Sequence, residues 1–212
     1  MLHHVMFDVD GTLVQSCEFD TACYLAAIES VLSQKIETDW STYRNATDSG
    51  VLSELLERMG IRDDLDGIHR SVREAFVTNV KEHLKQTPAM PVPGAPAFIE
   101  YLKADKNVTV SIATGGWKDS ALLKLLSAGI DIGSIPMASG DDDISRVGIM
   151  RCALNRAGVT PGESVYFGDA IWDKMACEAL GVRFVLVGHK IDHKPQVADY
   201  HDMALALKCI GL

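Results

Sequence analysis

The stretch Val5-Met6-Phe7-Asp8-Val9-Asp10-Gly11-Thr12-Leu13 constrains this chain more than any other, because an apolar run there delivers two carboxylates, separated by one residue, into a turn. Strand side chains alternate between faces, so Asp8 and Asp10 share a side if the strand geometry persists to its end. Gly11 lets the backbone turn sharply away. Like charges this close need a cation or a shared proton to compensate them, which points to a divalent metal or to acid/base work. Taken alone, the same residues fit a solvated Asp-rich turn after a strand equally well.

The period of the apolar residues then changes. Phe19, Cys23, Ala26, Ala27 and Val31 recur at helical spacing, as do Val51, Leu52, Leu55, Leu56 and Met59 ahead of Gly60. Ile68, Val72, Phe76, Val80 and Leu84 fall four apart in a third helix. No strong strand interrupts residues 16 to 86, which predicts a small helical domain, 16–87, inserted directly after the first strand. Pro88, Pro91, Pro93 and Pro96 exclude a regular helix where the insertion ends and predict a stiff connector.

Beyond Pro96 short β-rich apolar runs alternate with amphipathic helices. Strands are expected at Val108–Ala113, Ile135–Ala138, Val165–Phe167 and Phe184–Val187, with helices around Ile99, Leu122, Ile149 and Ala176. Such alternation predicts an α/β domain, residues 1–15 and 88–212, with a parallel sheet covered by helices on both faces. Ligands in these sheets bind outside the carboxyl ends of the strands, so chemistry should recur there.

It does. Thr114-Gly115-Gly116 follow one strand and open a helix whose first N–H groups can hold a phosphate oxygen, although Thr114 as a simple helix cap explains the same residues. Gly168-Asp169-Ala170-Ile171-Trp172-Asp173 follow another, where Asp169 could complete an oxygen-rich Mg²⁺ site and Asp173 lies one helical turn on. Arg146, behind Ser145 at the start of a further helix, would neutralise a carboxylate-rich site and stabilise charge on a transferring phosphoryl group. The run Asp141-Asp142-Asp143 reads as a solvated loop.

A net charge of −9 leaves no overall basic footprint, which argues against nucleic acid or an anionic membrane as the main partner. A small anionic substrate remains open, because local donors and a metal can overcome net charge. No apolar run reaches membrane-spanning length and no signal-like segment opens the sequence, so a cytoplasmic location is the expectation. The five cysteines are scattered and never spaced C-x-x-C, so neither a disulfide framework nor a zinc site is indicated. His189 and His193 have a chelating spacing, but their surroundings read as a loop.

In order, D-x-D-G-T at Asp8–Thr12, a strand ending in Thr114, a basic residue at 146 and G-D-x-x-x-D at Gly168–Asp173 resemble the haloacid dehalogenase superfamily over the whole chain. The helical insertion is similar to the C1-type cap of the branch containing phosphoglycolate phosphatases and β-phosphoglucomutases. The resemblance implies a Rossmann-like core with an inserted helical cap domain. It makes Asp8 the nucleophile that becomes an aspartyl-phosphate and Asp10 the general acid/base, with Thr114 and the Gly115-Gly116 turn holding phosphoryl oxygens. It also implies Mg²⁺ held by the Asp8 carboxylate, the Asp10 carbonyl and Asp169, with Asp173 in or beside the coordination shell. Arg146 stands where the superfamily usually has Lys, which leaves a nearby lysine open for that role.

A carboxylate at position 10 favours phosphate-ester chemistry over dehalogenation or phosphonate cleavage. In the polar loop 38–50, Arg44 could pair with a second anionic group of the substrate and Thr47 could contact it, while Thr47 could equally cap the next helix. The expected function is a Mg²⁺-dependent phosphatase for a small phosphorylated metabolite, acting as a monomer or small homo-oligomer. A sugar phosphomutase would use the same residues, and a non-catalytic binding domain is the alternative from another class.

Overall fold

Val5, Met6 and Phe7, all fully buried, form the heart of strand β1 (His3–Phe7). The computed structural model describes residues 3–212; Met1 and Leu2, the start of the expected segment 1–15, lie outside the described residues. β1 pairs in parallel with β2 (Val108–Ala113) on one side and β4 (Ser164–Gly168) on the other. With β3 (Met137–Ala138), β5 (Arg183–Val187) and β6 (Gln196–Val197) the sheet runs β3-β2-β1-β4-β5-β6, parallel throughout. The α/β fold expected from the alternating pattern is thus present, with β6 and a last helix, α8 (Met203–Ile210), in a region where the sequence reading placed no elements.

Alternation along the strands feeds two cores. Val5, Phe7, Val110, Ile112, Val165 and Phe167 point to one face, where α4 (Ala95–Ala104) and α5 (Lys118–Ser127) supply Phe98, Ile99, Leu102, Ala121 and Leu125, and α8 supplies Ala206 and Ile210. Met6, Ala113, Tyr166, Phe184 and Leu186 point to the other and meet α6 (Arg146–Ala157) and α7 (Ile171–Leu180). His4 is the polar exception inside the sheet. Its ring nitrogens lie 2.7 Å from Ser164 Oγ and 2.9 Å from Ser111 Oγ, and burial lowers its pKa to about 4, so it is a neutral strand-to-strand link.

Between β1 and α4 the chain forms three helices, α1 (Cys17–Leu32), α2 (Asp48–Arg58) and α3 (Leu65–Gln86). Their stripes of Ala27, Ile28, Leu52, Leu56, Val72, Phe76 and Val80 make a third core, which also takes in Trp117 from the sheet-forming part of the chain. The outgoing and returning connections run side by side: Gln15 N donates to Met90 O and Val92 N to Leu13 O. No helix among the described residues is long and apolar enough to cross a membrane. All five cysteines are free thiols.

Candidate active site

The carboxyl ends of β1, β2, β4 and β5 open into one cavity of about 260 Å³, roofed by α1, α2 and the loop between them. Asp8 is the first residue after β1 and is buried, its N–H held by Phe167 O. The chain can turn away from it because Gly11 has a φ of +79°, and a Cβ there would lie 2.0 Å from Asp169 Oδ2. Only glycine satisfies both the left-handed backbone and that close approach. Asp10, Thr114, Gly115, Gly116, Arg146 and Asp169 line the same cavity as Asp8, so residues far apart in the chain are brought to one edge of the sheet as the strand-end rule requires.

Arg146 is one of two cationic side chains lining the cavity, with Lys190. Its Nη1 donates to Asp8 Oδ1 at 3.0 Å, and its Nε lies 3.3 Å from Asp173 Oδ1, near enough for an ion pair though poorly directed for a hydrogen bond. A cation at the first position of α6 opposes the helix dipole, so the two carboxylates, not the helix, account for it. Burial works against the guanidinium charge, but Asp173 and Asp8 together raise its pKa.

Asp8, Asp169 and Asp173 each place a carboxylate oxygen within 4.8 Å of the others, all three buried. Burial raises the pKa of each, and the nearby carboxylates add to that effect, while Arg146 opposes it. Asp169 reaches about 6. A hard dication with oxygen ligands fits this set, because it supplies positive charge where the protein's own cations leave carboxylate charge undercompensated. Asp173 has other work as well: its Oδ2 accepts from Ala170 N at the start of α7, and its Oδ1 from Tyr166 Oη.

Arg44 and Thr47 differ from the other expected residues. Arg44 does not line the cavity: it is exposed and pairs with Glu54 and Glu57 of α2. Thr47 lines the cavity but its hydroxyl is consumed, donating to Ile144 O at 2.7 Å and accepting from Gly50 N as the cap of α2. The N–H groups that open α5 are also engaged within the protein, Gly116 N with Thr114 Oγ1, Trp117 N with Asp48 Oδ2 and Lys118 N with Asp141 Oδ2. That leaves the Thr114 side chain and the Gly115-Gly116 turn, not the helix start, as the part facing the cavity. Gly115 has its own steric reason, since a Cβ there would lie 3.0 Å from Arg146 Nη2 and 3.1 Å from Ala46 O.

Asp20, Lys124 and Lys190 are not among the residues expected at the site, and Asp48 is expected only as part of the loop 38–50. Lys190, beyond β5, pairs with Asp169. Asp48 and Asp20 line the cavity from the helical side; burial and the neighbouring Asp20 raise the Asp48 pKa. Lys124 is buried between Asp10 and Asp20. Its signal was available: Ala121, Lys124 and Leu125 fall on one helical stripe, and a lysine on an apolar stripe needs a partner. His189 and His193 bond separately, to Gln196 and to Phe184 O, and share no site.

Among solved structures, a hydrolase from Pseudomonas syringae is 25% identical, with a TM-score of 0.69 over 87% of this chain and 84% of that one. CbbY from Rhodobacter sphaeroides, solved with phosphate, is 18% identical with a TM-score of 0.76 over the whole of both chains. A β-phosphoglucomutase from Clostridium difficile is 14% identical with a TM-score of 0.76, covering 100% of this chain and 98% of that one; at these identities the likeness speaks for the fold. No curated protein matches the sequence. The sequence profile of the haloacid dehalogenase-like hydrolases matches residues 5–187, a span that begins in β1 and ends with β5 and so takes in every strand end that lines the cavity. The chain belongs to the haloacid dehalogenase-like hydrolase family.

Proposed function

We propose that the protein is a Mg²⁺-dependent phosphatase that hydrolyses a small phosphate monoester through a phosphorylated Asp8, with segment 16–87 acting as a cap over the site. The observation that carries this reading is the pairing of Asp8 with Arg146 in a buried site that also holds Asp10, Thr114 and Asp169. An unpaired nucleophilic carboxylate would repel a phosphate dianion. Arg146 on one Asp8 oxygen offsets that repulsion, and a metal held by the carboxylates would add positive charge to the same end.

In the forward step an Asp8 oxygen attacks phosphorus as the ester P–O bond breaks, while Asp10 gives its proton to the departing oxygen. In the return step Asp10 takes a proton from water, the water oxygen bonds to phosphorus, and the bond to Asp8 breaks. Splitting the displacement this way replaces one difficult reaction with two easier ones. Thr114 and the Gly115-Gly116 turn hold the phosphoryl oxygens, Arg146 stabilises charge on them, and the helical roof excludes water. Asp8, Asp169 and the Asp10 carbonyl would hold Mg²⁺, with Asp173 beside them. The ion would supply the positive charge that draws a phosphate dianion onto a carboxylate.

A phosphatase fits the cavity better than a sugar phosphomutase does. A mutase must hold a second phosphoryl group at the far end of its substrate, and among the described residues the cations lining this cavity, Arg146 and Lys190, are both paired to the carboxylates that follow the strands, Asp8 and Asp169. The test is phosphate release from a panel of small esters, with and without Mg²⁺, by wild type and Asp8→Asn. Release that requires both is expected, with Asp8→Asn reducing it by about 10³-fold or more while the variant keeps its fold. Retained turnover in the variant would remove Asp8 as the nucleophile.

A further inference from the structure

Lys124 has no counterpart in the chemistry described so far, yet it is one of the most deeply placed side chains in the molecule. It is fully buried, and its Nζ lies 2.5 Å from Asp10 Oδ1 and 2.5 Å from Asp20 Oδ1. An ammonium in such a place is tolerated only with excellent pairing, and an apolar residue of similar size would serve packing as well or better. The two partners come from different parts of the chain. Asp10 belongs to the turn after β1, and Asp20 to the first turn of α1 in the helical roof.

The contacts divide the two oxygens of Asp10. Oδ1 accepts from both Ser16 Oγ, at 2.5 Å, and Lys124 Nζ. Oδ2 faces the other way: a Cβ built on Gly116 would lie 3.6 Å from it, which puts it against the turn that holds the phosphoryl group. We infer that Lys124 is a positioning residue, which fixes the Asp10 carboxylate with Oδ2 aimed at the leaving-group oxygen and ties that aim, through Asp20, to the seating of α1. The inference rests on the phosphatase reading above. The proton that Asp10 gives to the departing oxygen leaves from Oδ2, and Lys124 neither donates nor accepts it. When α1 is out of place, Asp20 no longer shares the ammonium, and Asp10 loses the partner geometry that aims it.

The test is a comparison of kcat/KM for an alkyl phosphate and for p-nitrophenyl phosphate in wild type, Lys124→Met, Lys124→Arg and Asp20→Asn. This quantity reports steps only up to transfer of the phosphoryl group to Asp8. An alkoxide needs a proton as it leaves, whereas p-nitrophenolate does not. Lys124→Met should therefore lose about 10²-fold on the alkyl ester and only a few-fold on the p-nitrophenyl ester, in the range of general-acid effects. Asp20→Asn should lose less, in the same direction. Equal losses on both esters would overturn the positioning role and leave Lys124 as structural. Should Lys124→Met fail to fold, Lys124→Arg and Asp20→Asn decide by the same ratio: a ratio unchanged from wild type in both overturns the inference. Hydrolysis of neither ester by wild type would instead overturn the phosphatase reading, and the positioning role with it.

Discussion

The two walls of the cavity are built on opposite plans. On the strand-end wall carboxylates meet cations: Asp8 and Asp173 share Arg146, Asp169 has Lys190, and Asp10 has Lys124. On the helical wall stand Thr21, Tyr24, Trp40, Ala46 and Val51; of its carboxylates, Asp20 shares the strand-side Lys124 and Asp48 accepts from a backbone N–H, that of Trp117. Among the described residues no cationic side chain of segment 16–87 lines the cavity. On the proposed reading the first wall handles a doubly charged group with a metal, and the second accepts something that carries no further negative charge. On that reading the difference separates recognition of the phosphoryl group from recognition of whatever is attached to it.

That contrast can be broken most forcefully at Arg146. Arg146→Met would leave Asp8 and Asp173 buried without their shared cation, and should lower the unfolding free energy by roughly 3 kcal/mol, measured by urea denaturation. Arg146→Lys should lose less, because it restores the charge but cannot reach both carboxylates with a planar fork. Equal stability in all three proteins would mean that the strand-end wall does not depend on its charge pairing.

A smaller effect should appear on the helical wall. Esters of similar size whose leaving groups end in a hydroxyl or in a carboxylate should differ by about tenfold in kcat/KM, favouring the hydroxyl, as a like charge in a cation-free wall costs about 1.4 kcal/mol. Preference for the carboxylate would show that the wall recruits a cation on closing and would dissolve the contrast. The smallest effect is expected at Arg44. With its guanidinium exposed and paired to Glu54 and Glu57, Arg44→Ala should leave KM for every ester unchanged, because exposed pairs contribute little. A raised KM for anionic leaving groups alone would restore Arg44 to the site.

Much of this site is legible without coordinates. The residues at strand ends are announced by local pattern: a β-rich run, then a polar residue with glycine close by. Asp8 and Thr114 stand immediately after such a run and Asp169 one glycine beyond it, and a parallel sheet has no choice but to bring its strand ends to one edge. Arg44 misled for an equally physical reason. A polar loop of thirteen residues, 38–50, fixes neither the direction of a long side chain nor which of two acids it will meet, and Glu54 and Glu57 one and two turns along α2 are nearer partners than any substrate.

The sequence by itself determined the order of elements as far as β5, the carboxylate pair at Asp8 and Asp10, and the interruption of the sheet by helices, because each of these is a local matter of period, turn chemistry and spacing. Only the tertiary structure decided the charge pairing. Lys124 meets Asp10 across 114 positions, Arg146 meets Asp8 across 138, and Lys190 meets Asp169 from the far side of a strand. Such pairs depend on how each helix is rotated against the sheet, which is set by the summed packing of the cores and is written in no single stretch of the chain.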